Sequence, residues 1–343
     1  MTFLTIVYAI LIIVVAVFLL RCLEIFLRSF RIKNIDKKHV LITGCDSGFG
    51  YLLAKKLDKQ GVHVVATCLT EKGTTKLEDE CSSRLKAVTL DITDEEAVSD
   101  LAEFLNYDLG EIGLHGLVNN AGIGEPSEGA DCRHLMAKDL RELYEVNTFA
   151  IVTMVNKFLT LLEKGKGRIV NMTSINGRII DPTLTNIPYT TSKAASEAIS
   201  DSYRILFKAY GIPVSVHIIE PGFIKTDILN PDRMRSSFER GKYRWTKSEL
   251  EKENEVFEEF GKILTVVDKF ASKRPGLVVR AYEHALFSKW PKKRYSVEVG
   301  LDLIVSYLPS IIQDAFVILQ FYLVVDAASK IKQSAFDLKN KEE

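Results

Sequence analysis

The stretch HVLITGCDSGFG, His39 to Gly50, carries the reading of the fold. HVLIT is a short apolar run that reads as a buried strand. The glycine-rich remainder turns into a helix running to about Gln60. Each glycine has its own use there: Gly44 allows the tight turn, Gly48 lets a pyrophosphate approach the backbone, and Gly50 permits close helix–strand packing. The helix N-terminus supplies the anion site. The spacing is GxxxGxG rather than GxGxxG, and three glycines after a strand could also make a merely structural turn.

Outward from that unit, short apolar runs alternate with helical stretches, which implies βαβ units and a parallel sheet. Further strands are expected at Val62–Leu69, Leu85–Leu90, Gly116–Asn119, Arg168–Met172, Pro213–Ile219 and Arg294–Val299, giving about seven. Long helices are expected over Lys138–Lys164 and Tyr189–Tyr210. The predicted architecture is α/β, a Rossmann-type doubly wound parallel sheet. From Asp227 to Pro275 the β rhythm stops, and amphipathic spacing of Phe238, Tyr243, Trp245, Phe257, Phe260 and Leu264 suggests helices. An insertion after a strand's carboxyl end is expected to cap a ligand crevice. A surface hairpin packing its own apolar face is the competing reading.

The 343 residues carry 45 basic and 45 acidic side chains, so nothing suggests an electrostatic nucleic-acid binder. Five scattered cysteines, Cys22, Cys45, Cys68, Cys81 and Cys132, form no CxxC pair. That argues against a disulfide framework or a metal site and suits a reducing compartment. Asn171-Met-Thr173 matches a glycosylation sequon but falls in a predicted buried strand. Thr2 to Leu20 is 19 uncharged, mostly apolar residues, about 28 Å as a helix and enough to cross a hydrocarbon core. A spanning anchor is expected over a cleaved signal peptide, since no basic region precedes the run and no A-x-A-like site follows it. Arg21, Arg28, Arg31, Lys33, Lys37 and Lys38 follow the span, which predicts a cytoplasmic main domain. The chain thus divides into an anchor and basic linker (1–35), a main domain (36–300, with the cap at 227–275) and a C-terminal segment (301–343). Leu301–Val325 is apolar but interrupted by Asp302, Pro309, Asp314 and Gln320, which suits a helix or helix pair lying in the interface better than a span, with ordinary packing on the globule as the competing reading. The residues from Lys330 to Glu343 are charged and expected to be disordered.

Acid/base chemistry is concentrated between Asn171 and Lys193. Tyr189 and Lys193 stand at i, i+4 on one predicted helix face. Positive charge beside a phenol favours the phenolate, lowering a pKa that is otherwise about 10. The pattern YxxxK recurs at Tyr51/Lys55 and Tyr243/Lys247, but only Tyr189/Lys193 follows a strand that ends in Ser174. Thr173 is the competing hydroxyl. NNAG, Asn119–Gly122, follows the fourth strand, and Asp91 the third. Singly, these are a turn and a helix cap; together they could line a cofactor's adenine and ribose side.

The combined motifs resemble the short-chain dehydrogenase/reductase family over about Lys37 to Val299: TGxxxGxG (Thr43–Gly50), Asp91, NNAG, Asn147 in EVN, Ser174, YxxxK and PGxxxT (Pro221, Gly222, Thr226). TGCDSGFG, CLTEKG and YLPS are similar to the membrane-bound branch of retinol dehydrogenases and 17β- and 3α-hydroxysteroid dehydrogenases. The mitochondrial 3-hydroxybutyrate dehydrogenases are similar too, although an anchor suits them less. The resemblance implies hydride transfer between an alcohol and a nicotinamide. It makes Tyr189 the acid/base, Lys193 its pKa-lowering partner, Ser174 the substrate-oxygen ligand and Asn147 the holder of a relay water. It places Thr43, Gly44, Asp46, Ser47, Gly48, Phe49, Gly50, Cys68, Asp91, Asn119, Ala121, Gly122, Pro221, Gly222 and Thr226, with Tyr189 and Lys193, around the cofactor. Ser174 precedes Tyr189 by fifteen residues, a longer gap than the family's, and a loop absorbs such an insertion at little entropic cost. The strand-two position that selects NAD when acidic is occupied by Cys68, and no Arg or Lys precedes Gly48, so NAD is expected and NADP is the alternative, with Lys72 within reach of a 2′-phosphate. The expected partners are a lipophilic substrate such as a retinoid or steroid, a membrane, and a second copy in a homodimer, with no nucleic acid. The expected location is the endoplasmic reticulum membrane. A non-catalytic nucleotide-binding scaffold on the membrane is the rival from another class.

Overall fold

The computed structural model describes residues 3–129, 133–179, 187–226, 228, 230–252 and 271–300, with single positions between 255 and 269 and between 312 and 322. Seven strands form one parallel sheet in the order β3-β2-β1-β4-β5-β6-β7. They are β1 (His39–Ile42), β2 (His63–Cys68), β3 (Leu85–Thr89), β4 (Gly116–Asn119), β5 (Arg168–Met172), β6 (Ser215–Pro221) and β7 (Arg294–Val297). Both sheet faces are buried. Val40 and Ile42 of β1 join the cluster under α2 (Gly48–Lys59) and the helix Gly276–Phe287, while Leu41 joins the cluster under α4 (Glu95–Leu109) and α6 (Ala150–Gly165). Side chains alternate across a strand, so a continuous apolar run feeds two cores, which makes the fold doubly wound. Strands four and five have the predicted ends. β6 runs two residues further than expected, to Pro221, because Glu220 and Pro221 pair with Ser296 and Val297. β7 stops two residues early, where Glu298 takes a left-handed φ of 57°.

The remaining helices are α1 (Phe3–Ser29), α3 (Glu71–Glu80), α5 (Ala137–Tyr144), α7 (Ile187–Ala209), α8 (Pro231–Gly241), α9 (Lys247–Glu251) and α10 (Gly276–Phe287). The single helix expected over Lys138–Lys164 is interrupted by a π turn at Glu145–Phe149, which widens the helix at Asn147. In the insertion, Phe238 and Trp245 are buried against each other at 5.3 Å between centroids. Arg244 ties the segment down with a two-pronged ion pair to Asp139 at 2.7 and 3.0 Å. α8 and α9 agree with the helical pattern read from the sequence. Most of 253–270, the loop at 180–186, most of 301–325 and the tail at 330–343 lie outside the described residues.

α1 includes 20 residues, Ile10–Ser29, of mean hydropathy 2.9 with no part of the span buried. It is long and apolar enough to cross a membrane. Asn171 is fully buried, its amide donating to Ser200 Oγ at 2.8 Å and its carbonyl accepting from Asn119, so the sequon is inaccessible.

Phe158 of α6 is fully buried in the core on one sheet face. Phe158→Ala is expected to cost about 3–5 kcal/mol through lost transfer energy and the cavity left behind; thermal unfolding of the detergent-solubilised protein checks it.

Candidate active site

Strand order reverses between β1 and β4, whose following connections leave toward opposite sides. In open α/β sheets a crevice forms outside the carboxyl ends at such a point. A cavity of about 510 Å³ opens there, bounded by the loops after β1, β4, β5 and β6. Its phosphate-loop wall depends on two close approaches. Gly44 has φ +69°, and a Cβ on it would lie 2.7 Å from Ala121 Cα; a Cβ on Gly50 would lie 2.5 Å from Gly44 O. Asn120 holds the two loops together. Its Nδ2 donates to the Thr43 and Gly44 carbonyls at 2.9 and 3.0 Å, and Thr43 Oγ1 accepts from Asn120 N and Ala121 N at 3.1 Å each. The buried Tyr282 hydroxyl donates to Asn120 Oδ1 at 3.0 Å. Neither Asn120's clasp nor Tyr282 follows from spacing; the second asparagine of NNAG is the one visible signal.

Beside the turn after β2, the Asp46 carboxylate accepts from Leu69 N at 2.7 Å, Thr70 N at 3.0 Å and Thr70 Oγ1 at 2.7 Å. A Cβ on Gly73 would lie 2.6 Å from Asp46 Oδ1, so the CLTEKG glycine is needed for this approach. Asp91 is exposed on the cavity wall, its Oδ1 accepting from Thr93 N at 2.9 Å. The true N-cap of α4 is Asp94.

Lys193 is 2% exposed, and its ammonium donates to the Met172 carbonyl at 3.2 Å. Burial pushes its pKa down to about 8, while the Glu197 carboxylate one turn along α7 opposes that drop. The ammonium lies 5.7 Å from the centroid of the half-buried Tyr189 ring. Gly122 leaves the room required, since a Cβ there would lie 3.2 Å from Lys193 Nζ and 3.0 Å from Asn147 Oδ1. Ser174 stands two residues beyond the end of β5 and caps a short 3-10 turn, Oγ accepting from Asn176 N at 3.2 Å. Its hydroxyl lines the cavity. Thr173 also lines the cavity, but its hydroxyl donates to the Ile219 carbonyl at 3.1 Å.

The cavity wall brings together Gly44, Asp46, Ser47, Gly48, Phe49, Asp91, Ala121, Gly122, Ser174, Tyr189, Lys193, Pro221, Gly222 and Thr226. Five expected residues stand behind it. Thr43 and Gly50 build the loop clasp. Asn119 is buried and donates to Asn171 Oδ1 at 2.8 Å. Cys68 is the last residue of β2 and fully buried, its thiol pushed up to about 12 by burial; Leu69 and Thr70 take the wall position. Asn147 binds both backbone groups of Ile123, Oδ1 accepting at 2.9 Å and Nδ2 donating at 3.0 Å, and donates to Ser192 Oγ at 3.0 Å. Its side chain fixes the loop after NNAG against α7. The decoy pairs also separate: Lys55 donates to Tyr51 OH at 3.3 Å in a surface cluster with Glu80, and Tyr243 donates to Glu128 at 2.9 Å. On the opposite side of the cavity, Glu125 and Arg233, 3.5 Å apart, are wall residues that the sequence did not single out.

The model of the short chain dehydrogenase family matches residues 38–236. The chain belongs to that family. It is 36% identical over 301 residues to human dehydrogenase/reductase SDR family member 9, covering 85% of this chain and 91% of that protein. Mouse retinol dehydrogenase 16 is 37% identical over 301 residues, covering 84% and 92%. Human 17-beta-hydroxysteroid dehydrogenase type 6 is 37% identical over 292 residues, covering 82% and 88%. A Burkholderia phymatum short-chain dehydrogenase/reductase solved with NAD shares the fold with a TM-score of 0.63 at 22% identity, over 80% of this chain and 93% of that one. The protein is an NAD(P)-dependent dehydrogenase acting on alcohol groups. The cradle fits a dinucleotide: glycines that a Cβ would obstruct, the N-terminus of α2 at Gly48, and Asp46 beside the β2–α3 turn.

Because Lys193 titrates near 8, any step that needs its ammonium is served below that pH and lost above it. The alkaline limb of kcat/KM, which reports the free enzyme, is expected near pH 8. Glu197→Gln removes the charge that holds the ammonium protonated and is expected to move that limb to lower pH in initial-rate profiles.

Proposed function

We propose that the protein transfers hydride between NAD and a lipophilic alcohol or ketone of the retinoid or hydroxysteroid class, at Tyr189, Lys193 and Ser174, while α1 anchors it in a membrane. The observation that carries this reading is a fully buried ammonium sharing one cavity with Tyr189 and Ser174, where Ile123, Val146, Ile175, Ile224 and Met234 make the substrate side apolar. The relatives named above as a retinol dehydrogenase and a hydroxysteroid dehydrogenase support the substrate class. A nicotinamide held against the Tyr189–Lys193 side of the cavity would supply the hydride acceptor for the carbinol carbon. Tyr189 takes the hydroxyl proton during oxidation and returns it in reduction. Lys193 favours the phenolate, and the Ser174 hydroxyl donates to the substrate oxygen. Asn147 contributes by locking the loop after Gly122, and a relay water beside it is part of the proposal. Positioned acid/base groups supply on the order of 10²–10⁴-fold.

Asp46 favours NAD over NADP in this reading, since its carboxylate lies at the turn after β2, where a 2′-phosphate would meet like charge. The 3-hydroxybutyrate alternative is less well supported. A small carboxylate needs an unopposed cation in the substrate pocket, and Arg233 on that wall faces Glu125. Helix α8 supplies Arg233 and Met234 to the wall, which supports the insertion as a cap. A homodimer is part of the same proposal, supported by the exposed Ile205, Leu206 and Tyr210 at the end of α7.

With retinol, androstanediol and 3-hydroxybutyrate offered with NAD⁺, turnover of a lipophilic alcohol is expected; turnover of 3-hydroxybutyrate alone overturns the substrate class. Tyr189→Phe is expected to lose at least a hundredfold in kcat while NADH affinity by fluorescence stays within a few-fold, and unchanged activity refutes the assignment. For an endoplasmic reticulum protein with a cytoplasmic domain, protease added to intact microsomes is expected to digest residues 36–300; protection reverses the orientation.

A further inference from the structure

The base of α1 is fastened to a turn some 260 residues away. Arg28 O accepts from Ser288 Oγ at 2.8 Å and contacts His284 Nε2 at 2.9 Å, and the Arg28 guanidinium donates to Trp290 O at 2.8 Å. The chain then pairs with the same turn: Ile32 N donates to Phe287 O at 2.8 Å and Lys289 N to Phe30 O at 2.7 Å. Arg31 completes the joint with Glu283 at 2.9 Å. A capped helix C-terminus held at this many points is a rigid joint rather than a flexible leash, because carbonyls at a helix end otherwise go to water.

The turn between α10 and β7, SKWPKK, therefore stands beside the point where the apolar helix ends. Its Trp290 ring is half-exposed and packs edge-on against Phe30, 6.2 Å between centroids; Phe26 and Phe30 continue the aromatic surface. Lys289, Lys292 and Lys293 are exposed around it, with Lys33 on the paired segment. The acids nearby are occupied: Glu24 by Arg21 and Arg28, Glu283 by Arg31 and Lys56. Among the described residues no ion pair involves these four lysines, so their charge is uncancelled. Aromatic rings with basic side chains at a span's end are the composition that suits the headgroup region.

We propose that the α10–β7 turn, joined to the base of α1, forms a collar that lies on the anionic lipid headgroups of the leaflet α1 enters. Trp290 sits at the headgroup level and Lys33, Lys289, Lys292 and Lys293 face acidic lipid. The inference rests on the membrane-anchor reading and is independent of the substrate. It has a geometric consequence: the collar is at the amino-terminal edge of the sheet, before β7, and the cavity is at the carboxyl edge. The domain stands on the membrane by the edge opposite its cavity.

The full-length protein is reconstituted in phosphatidylcholine vesicles with or without phosphatidylserine, using lipids brominated at shallow or deep acyl positions. Trp245 and Trp290 are the only tryptophans, so the difference between the wild type and Trp290→Phe isolates Trp290 emission. Quenching of Trp290 by the shallow label more than the deep one is expected. Lys289→Gln/Lys292→Gln/Lys293→Gln is expected to weaken collar contact on serine-containing vesicles by up to about fivefold per lysine, from ~1 kcal/mol each at an anionic surface, and to leave it unchanged on pure phosphatidylcholine. A Phe26→Trp probe in a Trp290→Phe background reports the anchor itself. If Phe26→Trp is quenched and Trp290 is not, the collar is overturned while the anchor stands. If neither is quenched, the anchor reading fails and the collar with it.

Discussion

A lysine ammonium kept 2% exposed at the floor of a cavity is the constraint from which the site follows. Burying a charge without partners is strongly unfavourable, so the chain around it is shaped to supply them. The Met172 carbonyl at the end of β5 accepts from it, Glu197 faces it from the next turn, and Gly122 leaves out the side chain that would collide. The π turn at Asn147 belongs to the same solution. By widening the helix there it brings an amide to Ile123 and Ser192, which fixes the NNAG loop against α7.

Behind α7 a second charged group stabilises the arrangement. Arg294 of β7 pairs with Glu197, Asp201 at 3.2 Å and Glu220 at 3.5 Å, and Arg178 meets Glu220 at 3.4 Å. These residues belong to the turn after Ser174, the helix of Tyr189 and Lys193, and the strand leading into Pro221-Gly222. One partly buried cluster, centred on the buried Glu197 and Glu220, therefore holds three walls of the cavity in register. Removing a single partner would leave uncompensated charge, the costly case for buried pairs.

At the other edge of the sheet, the joint between α1 and the α10–β7 turn makes the apolar helix and the dehydrogenase domain one body at their contact. The cavity and this joint lie at opposite sheet edges. An anchor at α1 would therefore hold the domain by the sheet edge away from the cavity.

Much was legible in sequence because it is local chemistry. Glycines where a Cβ would strike backbone, a two-sided apolar strand run, and an i, i+4 Tyr–Lys pair after a serine-ending strand are set by neighbours along the chain. The sequence alone determined the doubly wound sheet, the glycine turn after its first strand and the residues Ser174, Tyr189 and Lys193, which the structure places on one cavity wall. It could not tell wall from support. Cys68 is buried because β2 ends on it and Leu69 turns outward, Asn119 bonds to Asn171 across the sheet, and Asn147 acts on a backbone 24 residues away. The Asn120–Tyr282 bond, the Arg294 cluster and the collar at Trp290 join residues from roughly 75 to 260 positions apart. Only tertiary structure decided these, because which long-range partner satisfies a buried polar group depends on how the layers pack, and no spacing along the chain encodes that distance.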